Sequence, residues 1–204
     1  YMADLYTYTG QRSEERRKFE EAAEFFKQAG NERSYAFALR DVAKTWAFDD
    51  SLSLVLCYML RADSVITKLR DSAGIGVIAN GLGNIYNLMG DIEKSKSYFI
   101  KSLNSDTIYQ APTYLALSSL YYDENILDSA RCYLAKVTGA PANPYTLVDR
   151  FYLGYLIEKD AGDTEKALSY LEQYQEKKDS LYDKQKQVDI IDAEKRHDVT
   201  TVVQ

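Results

Sequence analysis

The sequence predicts an all-α protein made of stacked helix–turn–helix repeats and closed by a long charged helix. Three observations carry that expectation. Glycine and proline together number 13 of 204 residues, about half the ~12% share of an ordinary chain. Small and aromatic residues recur at near-constant spacing from Gly10 to Leu171. From Thr164 to Val199 there is neither glycine nor proline. An all-β design would need a turn residue roughly every 8–12 positions, and 46% apolar content excludes collagen-like, linker-like and disordered classes.

The clearest repeat lies in the middle. Leu82 and Gly83 are followed one turn on by Tyr86, then by Gly90, Ile92, Ser95 and Phe99. This reads as a helix with a small residue facing its neighbour, a glycine turn, and a second helix with small and aromatic residues one turn apart. Repeat 1 runs from Gly10 through Phe19 to Ala22, Phe26 and Ala29, with Ser13 in place of the first-helix aromatic. Repeat 2 takes Val42, Ala43 and Trp46, then Leu52, Val55, Met59 and Ala62. Repeat 4 takes Leu117, Ser118 and Tyr121, turns at Asn125, which tolerates left-handed backbone, and continues with Leu127, Ala130 and Leu134. Repeat 5 takes Leu153, Gly154 and Ile157, turns at Gly162 with one extra residue, and closes with Ala167 and Leu171.

The small slots Gly10, Ala43, Gly83, Ser118 and Gly154 are 33, 40, 35 and 36 residues apart. The excess in the second step predicts an extended helix around Ser64 to Ser72. The expected repeat bounds are about 3–34, 36–72, 76–109, 111–143 and 147–177. Pro112 fits the first turn of a helix, where a missing N–H costs nothing, and Pro141 and Pro144 mark a loop between repeats. Asp163 is the expected N-cap of the final helix. Along that helix Tyr174, Leu181 and Val188 recur every seven residues, joined by Ile191, with Lys177 and Lys184 beside them. The stripe is thin for a coiled coil; residues 178–204 read either as a capping helix or as a dimerising stalk.

This pattern resembles the tetratricopeptide repeat (TPR), whose L-G-x-x-Y…A-x-x-x-F signature marks a 34-residue helix–turn–helix. The resemblance covers residues 1–177. It implies a right-handed α-solenoid of about five repeats plus the long C-terminal helix, and a non-enzymatic scaffold that binds proteins or peptides. The charged terminal helix is further similar to the input regions of bacterial membrane-anchored regulators. That likeness implies an oligomerising signal-input domain as the alternative reading, and it favours an extracytoplasmic, periplasmic location over a cytoplasmic one. Tyr1 in place of an initiator methionine leads us to expect trimmed ends within a larger protein.

Other chemistries find little support. A net charge of −6 and a pI near 5.0 disfavour nucleic acid, whose binding rests on cation–phosphate contacts. No apolar run approaches the ~18–20 residues of a membrane span; the best is Leu54 to Leu60. The single histidine, His197, sits among charged residues and reads as solvated. Cys57 and Cys132 occupy equivalent slots two repeats apart, too distant to bridge, and read as buried or half-buried thiols. The glycines of Gly74 to Gly83 lack the strand and Lys-Ser/Thr of a phosphate loop. Glu14, Glu15, Glu20, Glu21 and Glu24 interleave with Arg12, Arg16, Arg17 and Lys18 as a solvated face. No cofactor, metal site or catalytic residue is expected.

What remains is a groove on the first helices of the repeats. The TPR resemblance implies ligand contacts flanking the Leu-Gly pair. Those positions hold Arg40 and Lys44 in repeat 2 and Asn80 and Asn84 in repeat 3. Repeat 4 offers Leu115, Ser119 and Tyr122, and repeat 5 Phe151 and Tyr155. Cations beside amides suit an acidic peptide or a C-terminal carboxylate, as in the carboxylate-clamp version of the repeat. Leu115 and Ser119 depart from that version by supplying no second pair of cations.

Overall fold

The computed structural model describes the backbone of residues 2–47, 51–105, 110–138 and 145–202, and the side chains of residues 12–183 within those ranges together with 186 and 187. Among the described residues every regular element is an α-helix: α1 (Met2–Gln28), α2 (Glu32–Ala47), α3 (Leu52–Lys68), α4 (Ser72–Leu88), α5 (Ile92–Leu103), α6 (Gln110–Asp123), α7 (Leu127–Ala135), α8 (Tyr145–Asp160) and α9 (Thr164–Val202). The chain divides into two compact units, Tyr1–Ala116 and Leu117–Gln204, with the boundary inside α6.

In the first unit α2 pairs with α3 and α4 with α5, and each hairpin packs on its neighbour. Leu39, Ala43, Val55, Met59, Ile66, Ile78, Leu82 and Tyr86 belong to one continuous buried cluster. Burying one such side chain contributes about 1.5–3 kcal/mol. The register is set where backbones approach most closely. A Cβ added at Gly83 would lie 2.5 Å from the Phe99 ring, and the Ser95 hydroxyl donates to the Gly83 carbonyl at 2.8 Å. The second unit uses both devices in separate hairpins, the hydroxyl bond with its helices exchanged. Ser118 on α6 donates to the Ala130 carbonyl of α7 at 2.8 Å, and a Cβ at Gly154 would lie 2.7 Å from the Tyr170 ring. In all four hairpins the inward residue of the second helix comes 16 positions after the small slot: Met59 after Ala43, Phe99 after Gly83, Leu134 after Ser118, Tyr170 after Gly154.

The turns are as regular as the slots. Gly30, Arg70, Gly90, Asn125 and Gly162 each have positive φ, from 54° to 80°. After each, the next N–H reaches back to a carbonyl five residues earlier, as Asp91 does to Tyr86 at 2.9 Å. This is the Schellman closure. The residue making it then caps the following helix: Asn31, Asp71, Asp91 and Asp163 accept from the N–H of Ser34, Gly74, Lys94 and Lys166. One two-residue turn thus ends a helix and starts the next. Ile126 makes the closure without a side-chain cap.

Three expectations need correction. Repeat 1 has no internal turn, because residues 2–28 form the single helix α1. Residues 11–18 hold no breaker, and ion pairs Lys18–Glu14 and Arg17–Glu21 run along the helix. The long helix of repeat 2 ends at Lys68; Arg70 turns the chain, so Ser72 already belongs to α4. In repeat 5 the ring against Gly154 is that of Tyr170 instead of Leu171: α9 begins ten residues after its small slot where α5 begins nine after Gly83, so the contact falls one residue earlier along the second helix.

Candidate functional site

Arg40 and Lys44 are one turn apart on α2, and Asn80 stands on α4. All three border a single open cleft of about 320 Å³ in the first unit. Its floor is apolar: Ala43, Val55, Met59, Val77 and Ile85. Gly81 leaves the Met59 methyl its place in the floor, since a Cβ there would lie 2.6 Å from it.

The cations are held in place before any ligand arrives. Arg40 donates through Nε and Nη2 to one oxygen of Asp41, at 3.0 and 2.9 Å, and its guanidinium lies 4.9 Å from the Phe37 ring centre. Lys44 Nζ sits 3.2 Å from the same Asp41 oxygen. Three neighbouring side chains therefore carry about one net positive charge, and a ligand carboxylate would compete with Asp41. Arg40 and Lys44 also rim a second recess with Glu15 and Phe19 of α1.

The asparagines are partly committed. Asn80 donates to the Thr113 hydroxyl at 3.0 Å, and that buried hydroxyl lies 3.0 Å from Ser102 Oγ. Asn84 is exposed and reaches Asn80 Oδ1 only at 3.4 Å, so its amide retains capacity for a ligand. Leu115 and Ser119 are half-buried on α6.

The remaining sequence candidates lie in the second unit. Tyr122 on α6 donates to Asp160 Oδ2 at 2.6 Å. Tyr155 is half-buried on α8, with the Lys159 ammonium 5.7 Å from its ring centre. Phe151 is buried and packs against Tyr170, ring centres 6.5 Å apart; its position carries Arg40 and Asn80 in earlier repeats but turns inward here, where the α9 aromatic draws it under. Sequence reasoning overlooked Asp41, although Arg40-Asp41-x-x-Lys44 places an acid beside both cations. It also overlooked the floor made by Met59 and Gly81.

Both cysteines are exposed free thiols, which corrects the expectation of buried ones. They precede the inward Met59 and Leu134 by two residues, about 200° around the helix, and so face outward. Among the described residues no group of three His, Cys, Asp or Glu could hold a metal ion, and no helix is long and apolar enough to cross a membrane. His197, Lys184, Val188 and Ile191 lie outside the residues whose side chains are described.

No protein-family model and no curated protein matches the sequence. Solved structures do. The chain superposes on BtubC (BKLC) from P. vanneervenii with a TM-score of 0.74 at 17% identity, covering 88% of this chain and 78% of that one. It also superposes on a protein from Podosopora anserina, described as a kinesin light chain with nearly identical TPR-like repeats. There the TM-score is 0.61 at 14% identity, covering 88% of this chain and 93% of that one. The fold is that of TPR-like helical repeats. At these identities the likeness speaks to the TPR-like fold alone.

Proposed function

We propose that this TPR-like chain is a non-catalytic scaffold that binds an extended peptide, and that the α2–α4 cleft is one of its contacts. The observation that carries the reading is convergence: Arg40, Lys44 and Asn80 border one cleft with an apolar floor. An apolar ligand side chain would lie over Met59 and Val77, with a carboxylate beside Arg40, Lys44 and Asn80. Arg supplies a bidentate fork and Lys a mobile charge. Peptides with a free C-terminal carboxylate and acidic side chains are the natural probes, read by fluorescence anisotropy. Arg40→Glu with Lys44→Glu should abolish their binding while helicity stays unchanged. Undiminished binding removes the cleft from the function.

The second reading is an oligomerising signal-input domain, and one observation favours it. Helix α9 has 39 residues and its hairpin partner α8 has 16, so more than half of α9 runs beyond the hairpin. Light scattering of the chain with and without residues 178–204 tests this: a dimer that becomes monomeric on truncation supports the relay, and an unchanged mass removes it.

A further inference from the structure

In the second unit, α8 carries tyrosine where α2 carries charge. Counted from the small slots, Tyr155 stands at the position of Lys44 and Tyr152 at that of Asp41. The Tyr152 ring is centred 6.2 Å from Tyr155 and 5.2 Å from Tyr174 of α9, and Tyr152 is 45% exposed. Tyr122 reaches across from α6 to Asp160. Asp160 and Asp123 are exposed, and among the described residues no lysine or arginine pairs with either.

Charge and π-faces at this surface call for the same kind of guest. The hydrogen bond to Asp160, followed by burial and the charges of Asp160 and Asp123, pushes the Tyr122 phenol up to about 12, a sign of local negative potential. The neighbouring rings already attract cations, Lys159 at Tyr155 and Lys178 at 5.4 Å from the Tyr174 centre. Tyr152 has none over it among the described residues. A guanidinium stacks on an aromatic face and still offers N–H groups to a carboxylate. An acidic segment would be repelled.

We infer that this face of the second unit, formed by Tyr122, Tyr152, Tyr155, Asp123 and Asp160, docks an arginine-bearing extended peptide of a partner protein. One guanidinium stacks on Tyr152, and another lies beside Asp123 and Asp160. The surface takes the charge opposite to that suited by the α2–α4 cleft, and either stands if the other fails.

The test uses an acetylated, amidated ten-residue peptide with three arginines separated by glycines, and its twin with citrulline at those positions. Citrulline keeps the shape and removes the charge. Fluorescence anisotropy on the full chain should show the arginine peptide binding at least tenfold more tightly than its twin. Tyr152→Leu, which keeps apolar packing on Tyr174, should weaken it at least fivefold, as should Asp123→Asn with Asp160→Asn. Glu32→Gln with Glu93→Gln removes the same charge elsewhere and should change binding less than twofold, and Arg40→Glu with Lys44→Glu should not weaken it. Circular dichroism should match the parent chain for each variant. The proposal is overturned if the arginine peptide fails to bind at millimolar concentration, if citrulline serves equally, if Tyr152→Leu has no effect, or if the distant glutamates matter as much as the aspartates.

Discussion

The α4–α5 and α8–α9 hairpins are built on one plan and finished differently. Each sets a glycine against an aromatic ring 16 residues later, and each turns on Gly-Asp with positive φ and an aspartate cap. Yet Phe99 is 1% exposed, whereas Tyr170 is half-buried and has room to give. At the position of Ser95, which bonds the Gly83 carbonyl, the later hairpin has the buried Ala167, which has no hydroxyl to offer. Asn87 on α4 is replaced by the buried Glu158 on α8. The sixteen-residue contact is held constant while each partner in it is negotiable.

The strongest way to break the comparison is Arg131→Ala. Arg131 holds Glu158 by two bonds, at 3.0 and 2.6 Å, and the Glu158 side chain is 8% exposed. Stranding a buried carboxylate costs ~3–5 kcal/mol when fully enclosed; Arg131 is partly solvated, so about 2–3 kcal/mol is expected by urea unfolding. Next come the glycines. Gly83→Ala should cost about 2 kcal/mol and Gly154→Ala about 1 kcal/mol, because the Phe99 ring is walled in and Tyr170 is not. Equal losses would mean that the two contacts are equally rigid.

The caps should then show the hairpins alike. Asp91→Ala and Asp163→Ala should each lower the urea midpoint, and by similar amounts, because each removes the same helix cap. Hydrogen bonds from the Lys94 and Lys166 side chains, then from their backbone N–H groups, hold both carboxyls below the ordinary aspartate range. The folded pKa is depressed, so this stabilisation is present above the unfolded pKa near 3.8 and is lost as pH falls through the folded one. Acid unfolding of both cap variants should be less steep than that of the parent. The smallest effect is spectroscopic. Tyr122 should titrate near 12 and return toward 10 in Asp160→Asn. Its raised pKa contributes stability below pH 10 that is lost as pH rises through 12.

Much of this architecture can be read from the chain. The Gly83–Phe99 pair, the turns at Gly90, Asn125 and Gly162 and the Asp163 cap follow from residue types that only those positions require. Arg70 hides its turn, because left-handed backbone at an arginine has no signature; the following Asp71 was the available signal. Gly10 misled in another way: read as the small slot of a first helix, it implied a second helix beginning before Ala22, whereas Met2–Gln28 is one helix. At the site, helical spacing placed Arg40 and Lys44 on one face and Asn80 in register. It did not reveal that Asp41 shares both cations, or that Phe151 is drawn inward by Tyr170, because both depend on side chains outside the repeat pattern.

The side-chain ties between neighbouring helices have a consequence for tolerance to change. Glu20–Tyr58, Arg33–Asp71, Asp63–Lys101 and Tyr122–Asp160 all span 38 residues, about one repeat length plus one helical turn. A one-residue insertion in a helix would swing everything after it by about 100°, stripping every tie that crosses the insertion at once. A whole repeat added between ties would keep the rotational register of the helices on either side. Single-residue changes are therefore confined to places such as the end of α8, where Gly162 follows its small slot by eight residues and Gly90 follows Gly83 by seven.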